Sequence, residues 1–193
     1  MNHFFALRLS EEAVRIVREV AEEWRPLVVP ASWYDPADYH ITLKFLGNVD
    51  GAEQVHLKEA AEPIASRTPS FRVEPKSFGA FPDMNSPNVL WTGVRNNPEL
   101  DLLRMRLDKA MSLLGFRADH RLYQPHITLA RCSLKNKQNI PLPTNERLFA
   151  PFVVSNFVLM QTLPLEGRTN GSKSRYNIVH TFPLAGAQIS DVS

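Results

Sequence analysis

The sequence predicts a mixed fold of α-helices and β-strands built from two related lobes. Three observations predict it. The tetrapeptide His-Ile-Thr-Leu occurs twice, at residues 40–43 and 126–129. Strand-patterned and helix-patterned segments alternate along the chain. The order of elements in the first half then returns in the second at a nearly constant spacing.

Taken in order, His3 to Leu9 sets Phe4 and Ala6 against Phe5, Leu7 and Leu9, the alternation of a strand. Ser10 supplies an N-cap hydroxyl, and Glu11 and Glu12 bring negative charge to the first turn of a helix. Ala13, Ile16, Val17, Val20 and Trp24 recur at three- and four-residue spacing, which buries one face, and Pro26 marks the helix end. The first His-Ile-Thr-Leu strand runs from about Tyr39 to Leu46 and closes at Gly47-Asn48. A second helix, about Ala52 to Ser66, leads to a strand beginning at Phe71.

Asn88 to Arg95 opens the order again as a strand. Asn97-Pro98-Glu99 is a helix start, with proline at the first helical position, where its missing N–H costs nothing. Leu100, Leu103, Leu107, Ala110, Met111 and Leu114 form the apolar stripe, and Gly115 stops the helix. The second His-Ile-Thr-Leu strand spans about Tyr123 to Arg131, with further strands at about Phe152 to Gln161 and Arg175 to Phe182. Strands opening at 3 and 88, helices at 11 and 98, histidines at 40 and 126, and strands at 71 and 152 are offset by 85, 87, 86 and 81. Residues 1–193 therefore read as one bilobal domain with pseudo-repeats at about 3–80 and 88–183. Pro82 to Pro87 and Pro141 to Pro143 are expected to be joints or surface loops.

Composition excludes several classes. With 193 residues, 44% hydrophobic and 22% charged, the chain can bury a sizeable core. No run approaches the roughly 18 apolar residues of a membrane span, and Met1 to Ala6 lacks the basic flank and apolar length of a secretory signal. The single Cys132 can make neither an internal disulfide nor a cysteine-based zinc site, which fits a cytoplasmic protein. A net charge of +2 identifies no nucleic-acid binder, although a local cluster of Arg and Lys can still hold phosphate.

Side chains at i and i+2 leave a strand on one face, so His40 projects with Thr42, and His126 with Thr128. If a pseudo-twofold axis relates the lobes, both pairs enter one cleft. Two imidazoles titrating near neutrality supply a base and an acid, and two hydroxyls can donate to phosphate oxygens, a set suited to metal-free phosphodiester hydrolysis. Neither copy carries a carboxylate between or directly beside its His and Thr, which a metal site would favour.

The runs Tyr39-His40-Ile41-Thr42-Leu43-Lys44-Phe45-Leu46-Gly47 and Pro125-His126-Ile127-Thr128-Leu129-Ala130-Arg131 resemble the paired signatures of the two-histidine (2H) phosphoesterases. Within that superfamily the chain is most similar to the RNA 2′,3′-cyclic phosphodiesterases, also named 2′-5′ RNA ligases (LigT-like). The likeness includes the opening Phe-Phe-Ala-Leu strand and Ser174-Arg175-Tyr176. It implies a bilobal α+β fold, each lobe an antiparallel sheet with helices outside. It also implies hydrolysis of an RNA or nucleotide 2′,3′-cyclic phosphate to a 2′-phosphate, without metal or cofactor, with weak 2′-5′ ligation as the reverse reaction. By the same resemblance His126 is the general base, His40 the proton donor, Thr42 and Thr128 phosphate ligands, Arg131 a phosphate-neutralising cation, and Phe45 and Tyr176 nucleotide contacts. A monomer is expected, since the duplication already supplies a twofold arrangement.

Strand parity conflicts with two of these roles. Arg131 stands five residues after His126, and Phe45 five after His40, so a regular strand sends both to the opposite face. Arg131 then needs a bulge or strand end to reach the cleft, and Phe45 is expected in the core. His3, His56, His120 and His180 have no twin and are read as structural or surface residues. The segment 168–175 is expected to be a hairpin loop around Asn170-Gly171, its cations either solvated or along an RNA backbone. Trp33 and Tyr34 precede the first motif in a Pro-rich loop and are candidates to stack a base. Two other functions use the same residues: a 2H enzyme acting on 2′-5′ oligonucleotides or ADP-ribose cyclic phosphate, and a noncatalytic RNA- or nucleotide-binding module.

Overall fold

A computed structural model of the chain describes residues 1–26, 28, 31–83, 85–119, 122–132, 150–164 and 174–186. In chain order these form β1 (Asn2–Arg8), α1 (Glu11–Trp24), β2 (Ala31–Trp33), a 3-10 turn (Pro36–Asp38), β3 (His40–Asn48) and α2 (Gly51–Ser66). There follow β4 (Phe71–Val73), β5 (Pro75–Phe81), β6 (Val89–Val94), α3 (Pro98–Leu113), β7 (His126–Cys132), β8 (Phe152–Val154), β9 (Asn156–Thr162) and β10 (Tyr176–Pro183). The helix signals act as read: Ser10 caps α1 by accepting from the Ala13 amide, and Asn97 caps α3 by accepting from the Leu100 amide. The α2 helix closes a reciprocal capping box between Asp50 and Glu53. The strand β2 and the 3-10 turn were not foreseen, because three-residue elements in a Pro-rich stretch carry no periodicity. The strands expected from 71 and from 152 each break after three residues, at Glu74 and Ser155, again 81 apart. The loops expected at 141–143 and over most of 168–175 lie outside the described residues.

All pairings between these strands are antiparallel. The main sheet runs β10-β9-β1-β3-β7-β6-β5, with β2 also on β7, and β4 pairs β8 in a second, two-stranded sheet. If β1 is matched with β6, β3 with β7 and β5 with β9, the order β9-β1-β3-β7-β6-β5 reads alike from both ends. β5 lies beside β6 and β9 beside β1, so each half of the sheet draws on both halves of the chain. The halves meet at one residue pair, Ile41 opposite Ile127, both fully buried. That contact sets the two His-Ile-Thr-Leu strands side by side.

The two faces of β1 separate core from cleft. Phe5 and Leu7 join the main core with Leu57 and Ala61 of α2 and Leu100, Leu103, Leu107 and Met111 of α3. Phe4 and Ala6 face the other way with Val158 and Met160. Val20 and Trp24 of α1 pack on Ala80, Leu90 and Ala130, behind the second half of the sheet. Each large apolar side chain buried in this way contributes about 1.5–3 kcal/mol.

Candidate active site

The His and Thr of both copies line one cleft of about 530 Å³, together with Phe4, Tyr34, Phe45, Arg131, Arg175 and Tyr176. Both strands carry a β-bulge immediately after the threonine. In β3 the register steps from Ala6 opposite Thr42 to Phe5 opposite Lys44, leaving Leu43 unpaired. In β7 it steps from Trp91 opposite Thr128 to Leu90 opposite Ala130, leaving Leu129 unpaired. An inserted residue reverses the parity of everything after it. Burial follows: Leu43 and Lys44 are both buried, as are Leu129 and Ala130, while Phe45 and Arg131 return to the cleft side. Arg131 therefore reaches the cleft by the bulge its position required. The expectation of a core Phe45 is overturned, since the residue is 57% exposed.

Both imidazoles are held in the same way. Nδ1 of His40 donates to the Asp38 carbonyl at 2.7 Å, and Nδ1 of His126 donates to the Gln124 carbonyl at 2.7 Å. A carbonyl has no proton to give, so Nδ1 carries the hydrogen and Nε2 is left for proton transfer. Aromatic rings flank each imidazole. Phe4 and Tyr176 stand 5.1 and 5.0 Å from His40, and Phe81 and Trp91 stand 4.9 and 6.0 Å from His126. Burial beside these rings lowers both histidines below the ordinary imidazole value, against the raising effect of the carbonyl bonds, and the charge of His126 lowers His40 further.

One tyrosine organises the cations. Tyr34 accepts from Nε of Arg131 at 3.0 Å, and the guanidinium of Arg175 lies over the Tyr34 ring at 4.2 Å. Hydrogen-bonding to Tyr34 raises Arg131 further, which keeps it charged. Beneath them the buried Asp38 carboxylate accepts from the Ser174 hydroxyl at 2.6 Å and from the Arg175 amide at 3.0 Å. Burial raises this carboxyl, and these two bonds partly offset it. Asp38 thus fixes the start of β10 with its side chain and His40 with its carbonyl. No carboxylate lines the cleft among the described residues, which leaves it suited to an anion.

Every site residue named from the sequence that falls in the described residues lines this cleft: His40, Thr42, Phe45, His126, Thr128, Arg131 and Tyr176. His120 lies outside the described residues. His3 is buried against the Met1 carbonyl, and His56 and His180 stand near Glu59 and Glu62 away from the cleft. Sequence reasoning missed the roles of Tyr34 and Asp38, whose only signal was proximity to the first motif. Trp33 instead packs under Arg25.

The family model described as LigT like phosphoesterase matches residues 7–91 and 94–164. An RNA 2′,3′-cyclic phosphodiesterase of Geobacillus stearothermophilus is 30% identical over 96% of the chain, which spans 58% of that relative's length. One of Thermotoga maritima is 31% identical over 86% of the chain and 91% of the relative. The crystal structure of E. coli LigT complexed with 3′-AMP is similar at a TM-score of 0.72, with 27% identity over 95% of this chain and 97% of that one. The sheet, the paired His-Ile-Thr-Leu strands and these matches make the chain a member of the LigT-like phosphoesterase family.

Proposed function

We propose that the protein hydrolyses a 2′,3′-cyclic phosphate at the end of RNA or of a nucleotide, leaving a 2′-phosphate. The observation that carries this reading is the matched pair of imidazoles, each with Nδ1 tied to a carbonyl two residues before it, in one cleft with two threonines and two arginines. His126 takes a proton from water as it attacks phosphorus. His40 gives a proton to the departing 3′ oxygen, and Thr42 and Thr128 donate to the nonbridging oxygens. Arg131 offsets the charge that grows on the phosphoryl group. Phe45 and Tyr176 bound the space left for ribose and base. The relatives named RNA 2′,3′-cyclic phosphodiesterase support the substrate class. One chain supplies both His-Thr pairs and both arginines, so we take the monomer as the working unit.

The direct test is to incubate the protein with a 2′,3′-cyclic nucleotide and excess chelator. The expected product is the 2′-phosphate at an undiminished rate; loss of turnover on chelation, or a 3′-phosphate product, overturns the mechanism. Among the described residues no three metal-ligating side chains cluster.

The pH profile of kcat/KM follows from the two lowered histidines. Activity rises with pH as His126 loses its proton and falls as His40 loses its own. Burial holds both histidines below the ordinary imidazole value, so both limbs move towards acid. The bound phosphate anion favours imidazolium, so the alkaline limb of kcat stands above that of kcat/KM. An alkaline limb of kcat/KM well above neutrality contradicts the assignment.

A further inference from the structure

A second groove, of about 1070 Å³, adjoins the His126 side of the cleft and is lined by Lys76, Trp91, Gly93, Arg104 and Tyr123 among others. Its floor follows from three strands in register. Thr128 of β7 faces Trp91 of β6, and Trp91 faces Gly79 of β5. The indole lies across the positions of Gly79 and Gly93. A Cβ at Gly79 would stand 2.2 Å from the ring, and one at Gly93 would stand 3.1 Å from it. Two glycines without side chains thus let the ring rest on the sheet, where it lines the groove with Phe81 5.1 Å away. The indole N–H has no hydrogen-bond partner among the described residues, so the fold uses the ring as a surface and not as a donor. Lys76 lines the same groove with no ion-pair partner among the described residues.

Resting on the hydrolysis reading, we propose that this groove binds the nucleotide preceding the reacting one, its base stacked on Trp91 and the linking phosphate near Lys76. A cyclic phosphate closes the 3′ end of an RNA, so the rest of the strand leaves the reacting nucleotide through its 5′ oxygen. The 530 Å³ cleft is of a size for one small ligand, so the next base must lie outside it. Aromatic stacking tolerates any base, and removing one such platform weakens binding by roughly 5- to 100-fold. The enzyme then prefers oligoribonucleotide ends over mononucleotides without reading sequence.

The test measures equilibrium binding of two products, a nucleoside 2′-phosphate and a dinucleotide ending in 2′-phosphate. The native protein is expected to bind the dinucleotide at least ~5-fold more tightly. Trp91→Ala removes most of that ratio, Trp91→Phe keeps most of it, and Lys76→Ala lowers it about twofold or more, which tests the groove even where Trp91→Ala folds poorly. Equal affinities in the native protein overturn the proposal. So does a preference that survives Trp91→Ala and disappears in Arg117→Ala, which would route the strand past Phe45 into the neighbouring pocket. If the ratios behave as expected and no cyclic phosphate is opened, the hydrolysis reading fails while the platform stands.

Discussion

His126→Ala and His40→Ala are each expected to lower kcat by at least ~10²-fold, the usual range for losing a positioned acid or base. Each substitution also frees a backbone carbonyl, at Gln124 or Asp38, and removes an imidazole packed against aromatic rings, so some stability is lost and kcat is compared at temperatures where the variants are folded. The double variant should be little worse than either single one, since groups that act as a unit are not additive. The limbs of the pH profile assign the roles. His126→Ala removes the acid limb, and His40→Ala removes the alkaline one. A p-nitrophenyl phosphodiester separates them again: its leaving group departs without a proton, so His40→Ala is largely spared on it and His126→Ala is not. Near-normal turnover in either variant with a cyclic nucleotide removes that residue from the mechanism, and a reversed pattern exchanges base and acid.

What the sequence could carry depended on periodicity. Helices of 14 to 16 residues with capping residues and an apolar stripe were legible almost to their ends, as in α3 from Asn97 to Leu113. The His and Thr of each copy were legible because i and i+2 share a face in any strand. Beyond Thr42 and Thr128 that rule fails, because a bulge leaves no mark in composition. Leu43 and Leu129 look like ordinary strand leucines, and only cross-strand register shows them to be inserted residues. The conflict over Arg131 was itself informative, since the resemblance demanded one face and parity the other. The crossing of β5 and β9 between halves was invisible for another reason: strand pairing is nonlocal, and a repeat in sequence does not say which copy closes which sheet. Tyr34 and Asp38 were missed because their work is done across the fold. Their partners Arg131 and Arg175 lie 97 and 137 residues away.

The same bulge in β3 gives the largest stability effect expected outside the core, through Lys44. In a regular strand Lys44 shares the face of His40 and Thr42 and enters the cleft; the unpaired Leu43 turns it to the helix side instead. There its ammonium, with a side chain only 3% exposed, donates to Asp108 of α3 at 2.5 Å and to the Arg117 carbonyl at 2.6 Å. Asp108 also accepts from the Asp119 amide at 3.2 Å. Burial works to raise the Asp108 carboxyl, but the Lys44 and Asp119 bonds and the nearby cations outweigh it and hold it below its ordinary value. Asp108→Ala leaves a buried ammonium without its counter-charge and is expected to cost about 3 kcal/mol in chemical denaturation. Lys44→Met removes the charge together with its need for a partner, so it should cost less than Asp108→Ala. A depressed carboxyl stabilises the fold above its unfolded pKa, so this contribution is present at neutral pH and is lost as pH falls through the folded value. The gap in stability between native protein and Asp108→Ala should therefore close in acid. A loss under about 1 kcal/mol at neutral pH, or one that persists unchanged at pH 2, would show that the ion pair does not hold β3 to α3. Because Lys44 stands two residues from Thr42, the damage should also reach the cleft, as a raised KM for cyclic nucleotide at temperatures where the variant is still folded.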